Sequence, residues 1–274
     1  VRKLSFANAT HVGRVRSENQ DSFGKFPEGN TDLHHPGGQL FVIADGMGGQ
    51  NAGREASAIA VNTLGQAYYA GASLSVIDNL GAAYVAANEA IYSKSTSGPE
   101  YRGMGTTCVT LVLTDGKAFI GNIGDSRVYK INHRGIRQLT QDHSKVAELV
   151  RRGIITAEEA RHHPERSHLY RAMGPRPTIE VDYFDNMALG TSRSYLMCTD
   201  GLFNHVDDDE MRQIILNSSP ERACKQLIQL ALDRGGSDNV TIQVIRVEVS
   251  NSTSMSPIAR GKERFRSFLK SKKR

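Results

Sequence analysis

The chain has 274 residues, 39% hydrophobic and 23% charged, a globular balance with enough length to bury a core in one large domain or two small ones. No apolar run is long enough to cross a bilayer and no charged, apolar and small-residue series marks a signal peptide; three scattered cysteines (Cys108, Cys198, Cys224) exclude a disulfide scaffold and a cysteine-rich zinc site. The formal net charge of +5 is uneven: residues 251–274 hold eight Lys or Arg and one acid, a net +7, which leaves −2 on residues 1–250.

In chain order, the first polar stretch is Arg14-Val15-Arg16-Ser17-Glu18-Asn19-Gln20-Asp21, just before an expected strand. Residues 40–44 are a continuous apolar run, the pattern of a buried strand. Two helices follow at 53–69 and 75–92, with apolar or small residues at helical spacing and Ser75 placed to cap the second. Residues 106–113, 118–123 and 128–131 are rich in β-branched residues and separated by the turn signals Asp115-Gly116 and Gly124-Asp125-Ser126. A less regular insert spans 143–175, with weak helical patterns at 143–151 and 156–162. Then come an apolar strand at 195–198, helices at 207–216 and 220–232, and an alternating strand at 240–244. Residues 250–257 form a polar linker, where the domain is expected to end.

This order predicts an α+β fold of antiparallel sheets with helix pairs outside, rather than a doubly wound parallel sheet. It gives one domain at 1–249 with its insert at about 143–175, then a polar linker and basic tail at 250–274. A basic tail on a near-neutral body argues against nucleic-acid binding. Scattered reduced cysteines fit a cytoplasmic setting, and a chain that starts at Val1 is expected to be a fragment of a longer protein.

One pattern recurs: an apolar strand ending in aspartate, then a turn. It occurs at Ala44-Asp45-Gly46 and Thr199-Asp200-Gly201, with a related form at Gly124-Asp125-Ser126. Asp238 directly precedes the last strand. A single Asp-Gly makes a good turn and nothing more. Several carboxylates bordering buried strands would repel one another if they converge, and would then need a cation. Oxygen ligands favour magnesium or manganese over zinc or copper. The Arg14–Asp21 stretch reads either as a solvated loop or as a guanidinium that grips phosphate beside a carboxylate facing metal-bound water. Gly46-Met47-Gly48-Gly49 is neither a Walker loop nor a dinucleotide fingerprint, and no Gly-x-Ser-x-Gly elbow exists.

Six ordered motifs carry a resemblance. Arg16-x-x-Asn19-Gln20-Asp21, Asp45-Gly46-Met47-Gly48-Gly49, Gly105-Thr106-Thr107, Gly124-Asp125-Ser126-Arg127, Asp200-Gly201 and Gly236-Ser237-Asp238-Asn239 are similar to those of the bacterial branch of metal-dependent type 2C serine/threonine protein phosphatases. The resemblance covers roughly residues 5–248, and the insert looks like that branch's flap. It implies a central antiparallel β-sandwich flanked by helix pairs, and direct hydrolysis of phosphoserine and phosphothreonine by water between two manganese or magnesium ions.

By the same resemblance, Asp45 bridges both metals, Gly46 supplies a carbonyl, and Asp200 and Asp238 complete the set. Asp21 holds metal-bound water, Arg16 binds the substrate phosphate, and Asp125 joins Asp200 at a third, weaker metal. Three positions depart from the family pattern: Gln20 replaces Glu, Met47 a His, and Asn204 an acid. The expected partners are phosphorylated proteins and a Ser/Thr kinase, with the enzyme acting as a monomer. The basic tail is a candidate for contact with the inner membrane face, or a disordered solubilising tail. The competing function is a catalytically silent module that binds phosphoproteins or docks on a kinase.

Overall fold

The computed structural model describes residues 2–49, 52–71, 75–189 and 192–249, so the basic tail lies outside the described residues. In chain order the strands and helices are β1 (Arg2–His11), β2 (Asp21–Phe26), β3 (Gln39–Met47), α1 (Ala52–Ala70), α2 (Val76–Ser95), β4 (Gly105–Thr106), β5 (Cys108–Leu113), β6 (Lys117–Ile123), β7 (Arg127–Asn132) and β8 (Gly135–Gln138). They continue with α3 (Lys145–Arg151), α4 (Ala157–His162), β9 (Asp182–Ala188), β10 (Ser192–Cys198), α5 (Asp200–Phe203), α6 (Asp208–Asn217), α7 (Pro220–Asp233) and β11 (Val240–Val249).

Two antiparallel sheets form. One runs β1-β11-β10-β7-β8 and the other β2-β3-β5-β6-β9, with β4 added against β3. The alternation of side chains along each strand makes four layers. In β3, Leu40, Val42 and Ala44 pack with α1 and α2, while Phe41 and Ile43 point between the sheets. In β10, Leu196 and Cys198 pack with α6 and α7, while Tyr195 and Met197 join Phe41 and Ile43 in the central layer. Both faces of these strands are covered, which is why they read as unbroken apolar runs. Each fully buried Leu, Ile or Phe side chain contributes roughly 1.5–3 kcal/mol.

Six of the helices fall within a few residues of their expected places, while α5 replaces the turn expected at Asp200-Gly201. The strand expected over 106–113 breaks at Thr107. Its N–H donates to the Asp45 carbonyl at 2.9 Å and its Oγ1 accepts from the Asp45 N–H at 2.9 Å. Strands β1, β8 and β9 had no counterpart in the sequence reading. β1 pairs with β11 along all ten residues, but among the described residues the hydrophobic side chains it packs against the α6–α7 layer are Ala7 and Ala9, too small to raise an apolar signal. Among the described residues no helix is long and apolar enough to cross a membrane.

The insert between β8 and β9 has little core. In its two helices only Val146 is buried; Ser144 caps α3, and Thr156 caps α4 with Glu159 closing a capping box. The two ends of the insert are tied together by backbone bonds from Lys145 N–H to His168 O (2.9 Å) and from Tyr170 N–H to His143 O (3.0 Å).

Candidate metal centre

Two loops meet where the sheets end. Gly13 takes a φ of 84°, and a Cβ there would collide with the Asp238 carbonyl oxygen. The Arg14 N–H donates to Gly236 O at 2.7 Å. Asn239 fastens the same loop from its other end: its Nδ2 donates to the Val12 and Glu18 carbonyls (both 2.9 Å), and its Oδ1 accepts from the Gln20 N–H (2.8 Å). Arg16 is thereby set beside Asp238, with Nη2 2.8 Å from Oδ2.

Four further aspartates arrive from β2, β3, the β6–β7 turn and the start of α5. Asp21, the first residue of β2, lies opposite Asp45 of β3. Asp200 opens α5 directly after β10, and Asp125 lies in the turn between β6 and β7. A Cβ on Gly46 would strike the Gly53 carbonyl in the first turn of α1; one on Gly201 would strike the Asn239 carbonyl. The glycine of each pair is therefore required by a close backbone approach and not by a turn: Gly46 lies within β3 and Gly201 within α5.

The result is a cleft of about 370 Å³ whose wall includes Arg16, Asp45, Gly46, Asp125, Asp200 and Asp238. Asp21 lies beside it, buried, with Oδ2 accepting from Thr199 Oγ1 at 3.0 Å. Burial, reinforced by the Asp200 and Asp238 charges, pushes the Asp21 carboxyl up to about 7 against the lowering effect of Thr241 and Thr199. Burial and then Asp238 push Asp200 up to about 6, with Arg16 and Arg127 opposing. Asp45 and Asp125 are raised well above the ordinary carboxylate range, first by burial and then by neighbouring acids.

Two carboxylate oxygens, Asp21 Oδ1 and Asp200 Oδ1, are buried without a hydrogen-bond partner. Acids that repel one another and lack donors fit a divalent cation. Among the described residues no three His, Cys, Asp or Glu side chains close on a single point as a ready-made cage. A hard cation of the magnesium type does not require one: it takes one or two carboxylates and keeps several waters. No thiol competes as nucleophile. All three cysteines are buried, and burial pushes Cys108 up to about 12.

The structure therefore brings together all seven residues singled out from the sequence. Arg127, two residues beyond Asp125, pairs with Asp142 (Nη2–Oδ2 2.6 Å). Asn204 donates to Asp200 Oδ2 at 3.1 Å. Sequence reasoning missed Thr199 as the partner of Asp21, and it missed the loop-fastening amide of Asn239. Threonine before Asp-Gly gives no signal of its own, whereas the Ser-Asp-Asn run offered one: an amide can donate and accept at once.

The protein phosphatase 2C family model matches residues 11–230. The chain is 36% identical over 246 residues to the serine/threonine phosphatase stp of Listeria monocytogenes serotype 4b, covering 88% of this chain and 95% of that protein. It is similar to the crystal structure of the serine/threonine phosphatase Stp1 from Staphylococcus aureus, with a TM-score of 0.81, 34% identity, and coverage of 90% of this chain and 96% of that one. It is also similar to the catalytic domain of the serine/threonine protein phosphatase PstP in complex with two manganese ions, with a TM-score of 0.77, 30% identity, and coverage of 91% and 100%.

Proposed function

This chain belongs to the protein phosphatase 2C family, and from that premise we propose how its acidic cleft works. The protein is a metal-dependent serine/threonine protein phosphatase acting on phosphorylated proteins. The observation that carries the site assignment is the convergence of Asp21, Asp45, Asp125, Asp200 and Asp238 around two donor-less buried oxygens, with Arg16 at the rim.

Asp45, Asp200, Asp238 and the Gly46 carbonyl would hold two manganese or magnesium ions. Bound there, such ions would lower the pKa of a water and offset charge on the phosphoryl oxygens. Asp21, whose Oδ2 is fixed by Thr199, would hold metal-bound water in place for attack. Arg16 is more than half exposed on the cleft and presents a planar fork to the substrate phosphate. Asp125 and Asp200, with Asn204 supplying only a neutral amide, would hold a third and weaker ion.

Residues 1–249 form the catalytic domain, with the insert at 143–175 as its flap. Substrates are the targets of a partner Ser/Thr kinase, and the enzyme works as a monomer in the cytoplasm. The +7 tail holds it against anionic membrane surfaces. The test is phosphate release from a phosphothreonine peptide with and without manganese. Turnover that requires the ion and stops on chelation is expected; full turnover by a verified metal-free preparation overturns the reading.

A further inference from the structure

His143 lies in the insert, outside the metal cleft, and is 1% exposed. Its Nδ1 is 3.1 Å from the backbone N–H of Gly124, which can only donate. Its own backbone N–H donates back to the Gly124 carbonyl at 3.0 Å. One residue therefore grips both polar groups of the residue that immediately precedes Asp125.

The acceptor role of Nδ1 places the ring proton on Nε2. That nitrogen is 3.0 Å from Asp182 Oδ2, its acceptor; Arg171 Nη1 donates to the other oxygen of the same carboxylate at 3.0 Å and lies 3.2 Å from the ring nitrogen. Asp182 begins β9, and Arg171 lies on the returning arm of the insert. The ring is thus fixed from one side so that it can fix the turn on the other. The adjacent Asp142 performs a matching task. It binds Arg127, two residues beyond Asp125, through Nε and Nη2 at 2.6–3.1 Å. Residues 142 and 143 accordingly hold the chain on both sides of Asp125.

The same segment reaches the cleft. His143 O accepts from Tyr170 N–H at 3.0 Å, and Leu169 and Ser167 of that arm line the cleft wall. We propose that His143 is a positioning residue that couples the insert to the Asp125 turn, so that the weak metal position is formed only when the insert is seated. The inference rests on the reading of Asp125 as a metal ligand. A displacement of about 1 Å at a reacting centre can cost on the order of 100-fold in rate.

The two nitrogens of the ring can be tested separately in the full chain. His143→Asn keeps an acceptor at the position of Nδ1 and gives up Asp182. His143→Gln keeps a donor toward Asp182 and gives up the Gly124 N–H. Each is assayed, with Asp125→Ala alongside, for manganese concentration at half-maximal turnover, for kcat and KM on a phosphothreonine peptide, and for manganese binding by titration calorimetry. In the calorimetry the weak site should be lost from the Gln variant and kept in the Asn variant; folding is checked by thermal melting. The Asn variant should stay within about threefold of wild-type kcat, while the Gln variant should lose roughly 10-fold or more and need more manganese, with KM little changed. Combining His143→Gln with Asp125→Ala should cost no more than Asp125→Ala alone, because both act on one ligand.

Equal turnover of the Asn and Gln variants, or independent losses in the double variant, overturns the coupling while Asp125 remains a ligand. Full turnover and unchanged manganese dependence of Asp125→Ala overturns the ligand reading itself, and the coupling with it.

Discussion

The body buries Phe41, Ile43, Leu111, Tyr195 and Met197 between two sheets, whereas the helices of the insert bury Val146 alone. What fastens the insert is polar: the Arg127–Asp142 pair, the His143–Asp182–Arg171 cluster, and backbone bonds between its two arms. The difference separates two tasks. The five aspartates sit at the ends or turns of body strands and inherit the rigidity of a packed core. The insert contributes Ser167 and Leu169 to the cleft wall from a segment with little apolar burial to hold it. Damage to the body should appear first in stability, and damage to the cleft or insert in turnover.

The largest expected effect separates chemistry from fold. Asp45→Asn should lower turnover by more than about 1000-fold, equivalent to roughly 4 kcal/mol in the barrier. Because it removes one of several mutually repelling charges, the metal-free variant should melt no lower than the metal-free wild type. A fall in melting temperature that accounts for the lost turnover would erase the distinction.

Packing provides the converse case. Phe41→Ala removes a side chain of 0% exposure from the central layer and should destabilise the chain by about 3–5 kcal/mol in a denaturant titration. Val146→Ala, in the insert, removes far less buried surface and should cost clearly less. Equal losses would mean that the insert is as much a part of the core as the sheets. At the rim, Arg16→Ala should raise KM for a phosphopeptide by about tenfold, with at most a smaller change in kcat. An unchanged KM would reduce Arg16 to a partner of Asp238.

The smallest effect concerns pH. In the metal-free chain, Asp21 and Asp200 keep protons up to about 7 and about 6, while an unfolded aspartate releases its proton near 4. The folded state then binds more protons than the unfolded state across that interval, so its stability falls as pH rises from 4 to 7. Metal-free melting temperatures should decline by a few degrees over this window, and saturating manganese should remove most of the decline. Manganese affinity should rise over the same window, since binding displaces those protons. A flat metal-free profile would contradict the burial of these carboxyls.

Much of the body was legible because the apolar runs of β3 and β10, covered on both faces, and the strict alternation of β11 are hard to mistake. Strand β1 was not, because its pairing with β11 is non-local and the apolar residues it turns toward the helices are small, Ala7 and Ala9. Strand β9, with Asp182, Asp185 and Asn186 among its seven residues, carries too little apolar patterning to announce itself. The acids of the cleft were visible as a repeated strand-end aspartate, and six ordered motifs gave them roles. Their supports were not, because Thr199, Asn239 and His143 act through bonds between residues far apart in sequence. His143 bonds Gly124, nineteen positions away, and Thr199 bonds Asp21, 178 positions away. No periodicity encodes such pairs.

The central claim is that this cleft is a manganese or magnesium site. A crystal of the full chain grown with manganese and measured at the manganese absorption edge tests it most directly. The account predicts two strong anomalous peaks bounded by Asp45, Asp200 and Asp238, and a weaker third beside Asp125 that fades first as manganese is lowered. An active enzyme whose crystals show no anomalous peak in the cleft at saturating manganese would contradict it.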